Sequence, residues 1–126
     1  GIIEEKGGVV VVMDSCSGIK SARNMVDVNA ENIYRAIAER YMKIGCAVMT
    51  PNVNRMNQIR ELVDEYKVDG IVDVVLQSCH PFSVERYKIK NLAEELKVPY
   101  MSIETDYSKT DVGQLTTRFE AFIEML

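Results

Sequence analysis

The sequence predicts an α/β fold: an open, three-layer, mainly parallel sheet of about four strands flanked by helices. Three observations predict it. Val9, Val10, Val11, Val12 and Met13 form an unbroken apolar run, as expected of a strand covered on both faces. A second such run lies at residues 71–76, directly after Asp69 and Gly70. Between and after these runs apolar residues recur at helical spacing, and alternating strands and helices imply right-handed crossovers and a parallel sheet.

The first strand stops at Asp14, Ser15, Cys16, Ser17 and Gly18, a turn-rich stretch. Residues 19–30 show no clean period and read as loop, with room for a short helix. Ile33, Ile37 and Tyr41 recur every fourth residue, so residues 30–43 are predicted helical, with Asn29 as N-cap. Residues 46–50 read as a short strand or an extended connector that ends at Pro51. Met56, Ile59, Leu62, Val63 and Tyr66 share one helix face and place a helix at residues 53–67. After the strand at 71–76, the loop 77–82 leads to Ser83, a suitable N-cap for a helix bearing Ile89, Leu92 and Leu96. Pro99 precedes a strand at 100–103, and Leu115, Phe119, Phe122, Ile123 and Leu126 mark a final helix. With no long linker or repeat, residues 1–126 read as a single domain of flavodoxin- or Rossmann-like type.

Composition excludes several function classes. The net charge is −4 and the basic residues are interspersed with acids, which argues against nucleic acid as a partner. The longest apolar run is far short of the roughly 20 residues that span a bilayer, so no membrane role is expected. The chain opens without a basic stretch leading into an apolar one, and a cytoplasmic setting is expected. Three cysteines are an odd number, which points to reduced thiols or metal ligation rather than a disulfide framework. Neither G-x-S-x-G, G-x-G-x-x-G, a P-loop nor C-x-x-C occurs.

Open parallel sheets bind ligands beyond the carboxyl ends of their strands. The loops at 14–18, 77–82 and 104–108 are predicted there, and they carry Cys16 and Cys79. A thiolate just ahead of a helix faces the positive end of the helix dipole, which suits it to metal ligation. Free cysteine also serves often as a small buried apolar residue, the reading that fits Cys46 beside Ala47 and Val48. His80 is the sole histidine; it is either a structural residue or a catalytic acid–base group. Taken by themselves, the residues describe an α/β domain with a thiol-bearing rim.

Several stretches carry a resemblance that goes further. They are Cys46 to Asn52 with Arg55, then Val68, Asp69, Gly70, Ile71 and Val72, then Gln77, Ser78, Cys79 and His80 with Glu85. The most specific are Glu104-Thr-Asp-Tyr-Ser108 and Thr117-Arg-Phe-Glu-Ala-Phe-Ile-Glu-Met-Leu126. From about Val9 onward the chain resembles the C-terminal domain of the 2-hydroxyacyl-CoA dehydratase D-component family, which includes benzoyl-CoA reductase subunits.

The resemblance implies a longer iron–sulfur subunit that acts on a CoA thioester by radical, low-potential electron transfer. Its [4Fe–4S] cluster would be held by three thiolates, of which Cys79 matches the one supplied by this region. Cys16, in a D-x-C-x-G stretch, and Cys46 carry no such match and remain possible ligands only. The implied partners are a related second subunit, an ATP-dependent activator protein and the acyl-CoA substrate. An intact cluster is expected in the longer subunit and not in these residues alone. Two readings stand beside this one: a stand-alone α/β binding or regulatory module, and a small metalloprotein in which Cys16, Cys46 and Cys79 form their own site.

Overall fold

In a computed structural model, residues 1–108 and 110–126 are described. They form α1 (Ile2–Glu5), a 3₁₀ turn (Ile19–Ser21), α2 (Ile33–Met42), α3 (Val53–Tyr66), β1 (Ile71–Leu76), α4 (His80–Leu96), β2 (Tyr100–Thr105) and α5 (Val112–Ile123). These elements fall into two units, Gly1–Val11 with Lys67–Leu126, and Val12–Tyr66.

The first unit is built on β1 and β2, which pair in parallel from Ile71 opposite Tyr100 to Leu76 opposite Thr105. The β-branched run of β1 favours the extended backbone, and α4 supplies the long crossover that a parallel pair requires. Pro81 sits in the first turn of α4, where its missing N–H costs nothing. At the other end Lys97 adopts φ 58°, and its N–H reaches the carbonyls of Ala93 and Glu94. The core of this unit comprises Val75, Ile89, Leu92, Ala93, Ile103, Phe119 and Phe122. Gly70 lies in close approach to the last helix: an added Cβ would lie 2.8 Å from Leu126 Cδ2 and 3.0 Å from the Phe122 ring, so those side chains would have to shift. Arg118 of α5 donates from Nη2 to the Ser102 carbonyl at 2.8 Å and so covers part of β2.

Asp73 is a buried acid in the middle of a strand, and the Tyr100 hydroxyl donates to its Oδ2 at 2.9 Å. Burial foremost, with the neighbouring Asp73 charge and hydrogen bond, pushes the Tyr100 phenol from 10.0 up to about 12. The folded value lies above the unfolded one. The associated stability is therefore complete below the ordinary tyrosine range and is lost as pH rises toward about 12. A spectrophotometric titration of tyrosinate should show one late-ionising phenol, which disappears in Tyr100→Phe. Ionisation of all tyrosines in a single ordinary step would refute this environment.

The second unit contains no strand among its described residues. Asn32 caps α2, its Oδ1 accepting from Arg35 N at 3.1 Å. Ile59 and Leu62 of α3 are buried, as is Ala36 of α2. Arg40 ties α2 to the preceding loop by donating to the Asn24 carbonyl at 2.9 Å and to that of Ser21.

The α/β class and the parallel pairing agree with the expectation from sequence, but among the described residues the sheet has two strands rather than about four. Residues 9–13 form no strand and are largely exposed, because no described segment pairs with them. An extended backbone holds only where a neighbour satisfies its N–H and C=O groups. Residues 46–50 are turns, the connector form of the two alternatives. Helix α2 begins at Ile33, not residue 30, since Asn32 and not Asn29 makes the cap. Helix α4 begins at His80, three residues ahead of the expected cap Ser83.

Candidate functional site

In the first unit, β1 and β2 end side by side, and Gln77 N donates to the Thr105 carbonyl at 2.8 Å, joining the two rim loops. The turn after β1 is tight. Ser78 takes φ 67°, and Cys79 N returns to the Leu76 carbonyl at 2.9 Å. That turn places Cys79 at the N-cap of the 17-residue α4, half-buried, with no side-chain capping bond. A negatively charged sulfur there would stand at the positive end of the helix. His80, the first helical residue, is exposed.

Beside this turn, Gln77, Glu104, Thr105, Asp106 and Asp111 line an open cleft of about 230 Å³. Thr105 Oγ1 donates to Asp111 Oδ2 at 2.8 Å, and Ser108 N donates to Asp106 Oδ1 at 2.7 Å. The Ser108 hydroxyl and N–H hold the Asp106 carboxyl below its ordinary range, so it stays ionised. The rim therefore presents a thiol and fixed acids, with polar groups that can donate or accept.

Cys16 and Cys46 lie in the second unit, Cys16 in an exposed turn and Cys46 half-buried before the Thr50–Pro51 bond. Among the described residues no group of three or more His, Cys, Asp or Glu side chains is placed to hold a metal ion. On the rim of the first unit, Cys79 is the one cysteine, able to offer a single thiolate.

One constellation went unread in the sequence. Asp14 Oδ2 accepts from Arg55 Nε at 3.0 Å, and Asp14 Oδ1 lies 3.8 Å from Lys20 Nζ. The side chains of Lys20 and Arg55 are only 2% and 4% exposed. Gly18 permits this turn: a Cβ there would collide with the Met13 carbonyl, which accepts from Ile19 N at 3.0 Å. Asn52, at φ 54°, donates from Nδ2 to the Cys46 carbonyl at 2.9 Å within the same unit.

The family model described as "2-hydroxyglutaryl-CoA dehydratase, D-component" matches residues 1–126. The chain belongs to the 2-hydroxyglutaryl-CoA dehydratase D-component family. Among similar proteins of this dehydratase family, the Escherichia coli (strain K12) protein named "Putative dehydratase subunit YjiM" is 47% identical over 125 residues. Those residues are 98% of this chain and 32% of that protein. The (R)-phenyllactyl-CoA dehydratase beta subunit of Clostridium sporogenes is 26% identical over 125 residues, 98% of this chain and 33% of its own length. The beta subunit of (R)-2-hydroxyglutaryl-CoA dehydratase from Acidaminococcus fermentans is 31% identical over 72 residues, covering 57% of this chain and 19% of that subunit. The D-component chain described here therefore spans about a third or less of the curated relatives it matches. No helix among its described residues is long and apolar enough to cross a membrane.

Proposed function

We propose that these residues work within a longer 2-hydroxyacyl-CoA dehydratase subunit, where Cys79 supplies one thiolate to a [4Fe–4S] cluster. The observation that carries the reading is the position of Cys79 at the N-cap of α4, on the rim where parallel strands end, in a chain of the D-component family. Bound there, the cluster would supply low-potential electrons for radical chemistry on a CoA thioester. The chain's own part is to hold the Cys79 sulfur in place. The Ser78 turn and the start of α4 fix its backbone, and Pro81 stiffens the first helical turn. His80 stands at the rim without a described side-chain partner to orient it, and Cys16 and Cys46 take no ligand role in this proposal.

The remaining thiolates, a related partner subunit, an ATP-dependent activator and the acyl-CoA substrate belong to the same proposal, as does a cytoplasmic setting. The names of the relatives favour dehydration over the ring reduction of benzoyl-CoA reductases. The test is Cys79→Ser in the longer subunit, purified without oxygen. Cluster iron and dehydratase activity should both be lost, while the circular dichroism of the folded subunit is unchanged, because the half-buried N-cap accepts a hydroxyl with little repacking. Full iron content in this variant would remove Cys79 as a ligand.

A further inference from the structure

In the second unit, α3 carries polar side chains where its packed side begins. Asn54, Asn57, Gln58 and Glu61 follow one another at helical spacing and share one face. With Arg23 and Asn24, from the loop after the 3₁₀ turn, and Lys43, which caps the end of α2, they line an open cleft of about 280 Å³. None of these seven residues is apolar. Asparagine is a poor helix former, so two of them on this face gain nothing for the helix itself.

Gln58 is 6% exposed, yet its Nε2 makes no hydrogen bond among the described residues. A buried donor left unmade costs about 1–3 kcal/mol, and what it lacks is an acceptor. The last torsion of a glutamine is broad, so the amide can turn its N–H groups to the cleft it lines. Charge says which kind of acceptor fits. Arg23 is held by Glu61 at 3.3 Å and Glu65 at 2.8 Å, which neutralises the carboxylate of the lining. Lys43 is exposed and pairs with no described carboxylate, so its charge is left over in a chain of net charge −4. The cleft also opens beside the first turns of the 14-residue α3, the end of a helix that favours anions.

We propose that this cleft binds the phosphoryl group of a small hydrophilic molecule. A phosphoryl group offers three strong acceptor oxygens, which suits donors arriving from two elements, Lys43 of α2 and Gln58 of α3. The volume exceeds that of a bare ion, and the carboxamides of Asn54 and Asn57, which both donate and accept, match hydroxyl groups on the rest of the ligand. The site lies outside the cluster chemistry and does not depend on it.

The test is a nuclear magnetic resonance titration of the isotope-labelled chain with glycerol 3-phosphate and, separately, with inorganic phosphate, at an ionic strength fixed by sodium chloride. The side-chain amide signals of Gln58 and Asn57 should shift and saturate, with glycerol 3-phosphate bound more tightly than the free ion. Lys43→Ala should weaken binding about fivefold, the upper end for an exposed charge pair, and Lys43→Arg should keep it. Lys90→Ala, at a 58% exposed lysine of α4, should leave it unchanged. Both lysines are exposed, so neither substitution disturbs the fold. Signals that move in simple proportion to added phosphate would overturn the proposal. So would undiminished affinity in Lys43→Ala, or an equal loss in Lys90→Ala. Inorganic phosphate bound as tightly as glycerol 3-phosphate would overturn it in favour of the free ion. Iron is not read in this titration, so its outcome is separate from that of Cys79→Ser.

Discussion

Replacing Asp14 with asparagine is expected to lower the unfolding free energy by roughly 3–5 kcal/mol, the range for removing one partner from a buried ion pair. Asp14 lies between Arg55, at 3.0 Å, and Lys20, at 3.8 Å, and both cations are almost wholly withdrawn from water. Asparagine keeps the shape but removes a negative charge that lies against both. The loss should appear as a lower urea midpoint followed by circular dichroism. Arg23→Gln is the control. Its salt bridges to Glu61 and Glu65 are made with largely exposed carboxylates, and such pairs contribute about 0–1 kcal/mol. An Asp14→Asn variant no less stable than Arg23→Gln would show that the buried group does not hold the second unit together.

The second large effect belongs to the sheet. Ile103→Ala should cost on the order of 3 kcal/mol, because Ile103 is 2% exposed and the surrounding core cannot close the space it leaves. Its register partner Val74 lies directly across the ladder but is half in water, and Val74→Ala should cost about 0.5 kcal/mol or less. The ratio of the two losses measures how one-sided the cover of β1 and β2 is in this chain. Equal losses in the same urea experiment would contradict it.

The two large effects differ in how visible they were beforehand. The strand at 71–76, the crossover helix after it and the helix at 53–66 all announce themselves by period and composition. Their apolar residues also meet their partners within the chain, as Ile59, Leu62, Ile89 and Leu92 show. Residues 9–13 carry the same strand pattern and form none. Periodicity records the burial a segment is suited to, and whether a neighbour is at hand to provide it is a separate matter. The start of α4 was misplaced because Pro81 was read as loop, although proline fits the first turn of a helix.

The rim position of Cys79 was legible, since a β-branched run that stops at Gln77 marks a strand end. The Asp14, Lys20 and Arg55 group was not. Lys20 lies in a stretch with no period, and Arg55 is 41 residues from Asp14. No local pattern marks a long-range pair of charges, and lysine and arginine are ordinarily read as surface residues.

Arg118 gives the sheet a polarity of growth. Its guanidinium occupies the Ser102 carbonyl on the side of β2 away from β1, placing a charge where another strand would have to add. A molecule with two bare edges can stack indefinitely, each copy templating the next. The same arginine that helps anchor α5 thus also blunts that edge of the sheet against strand addition.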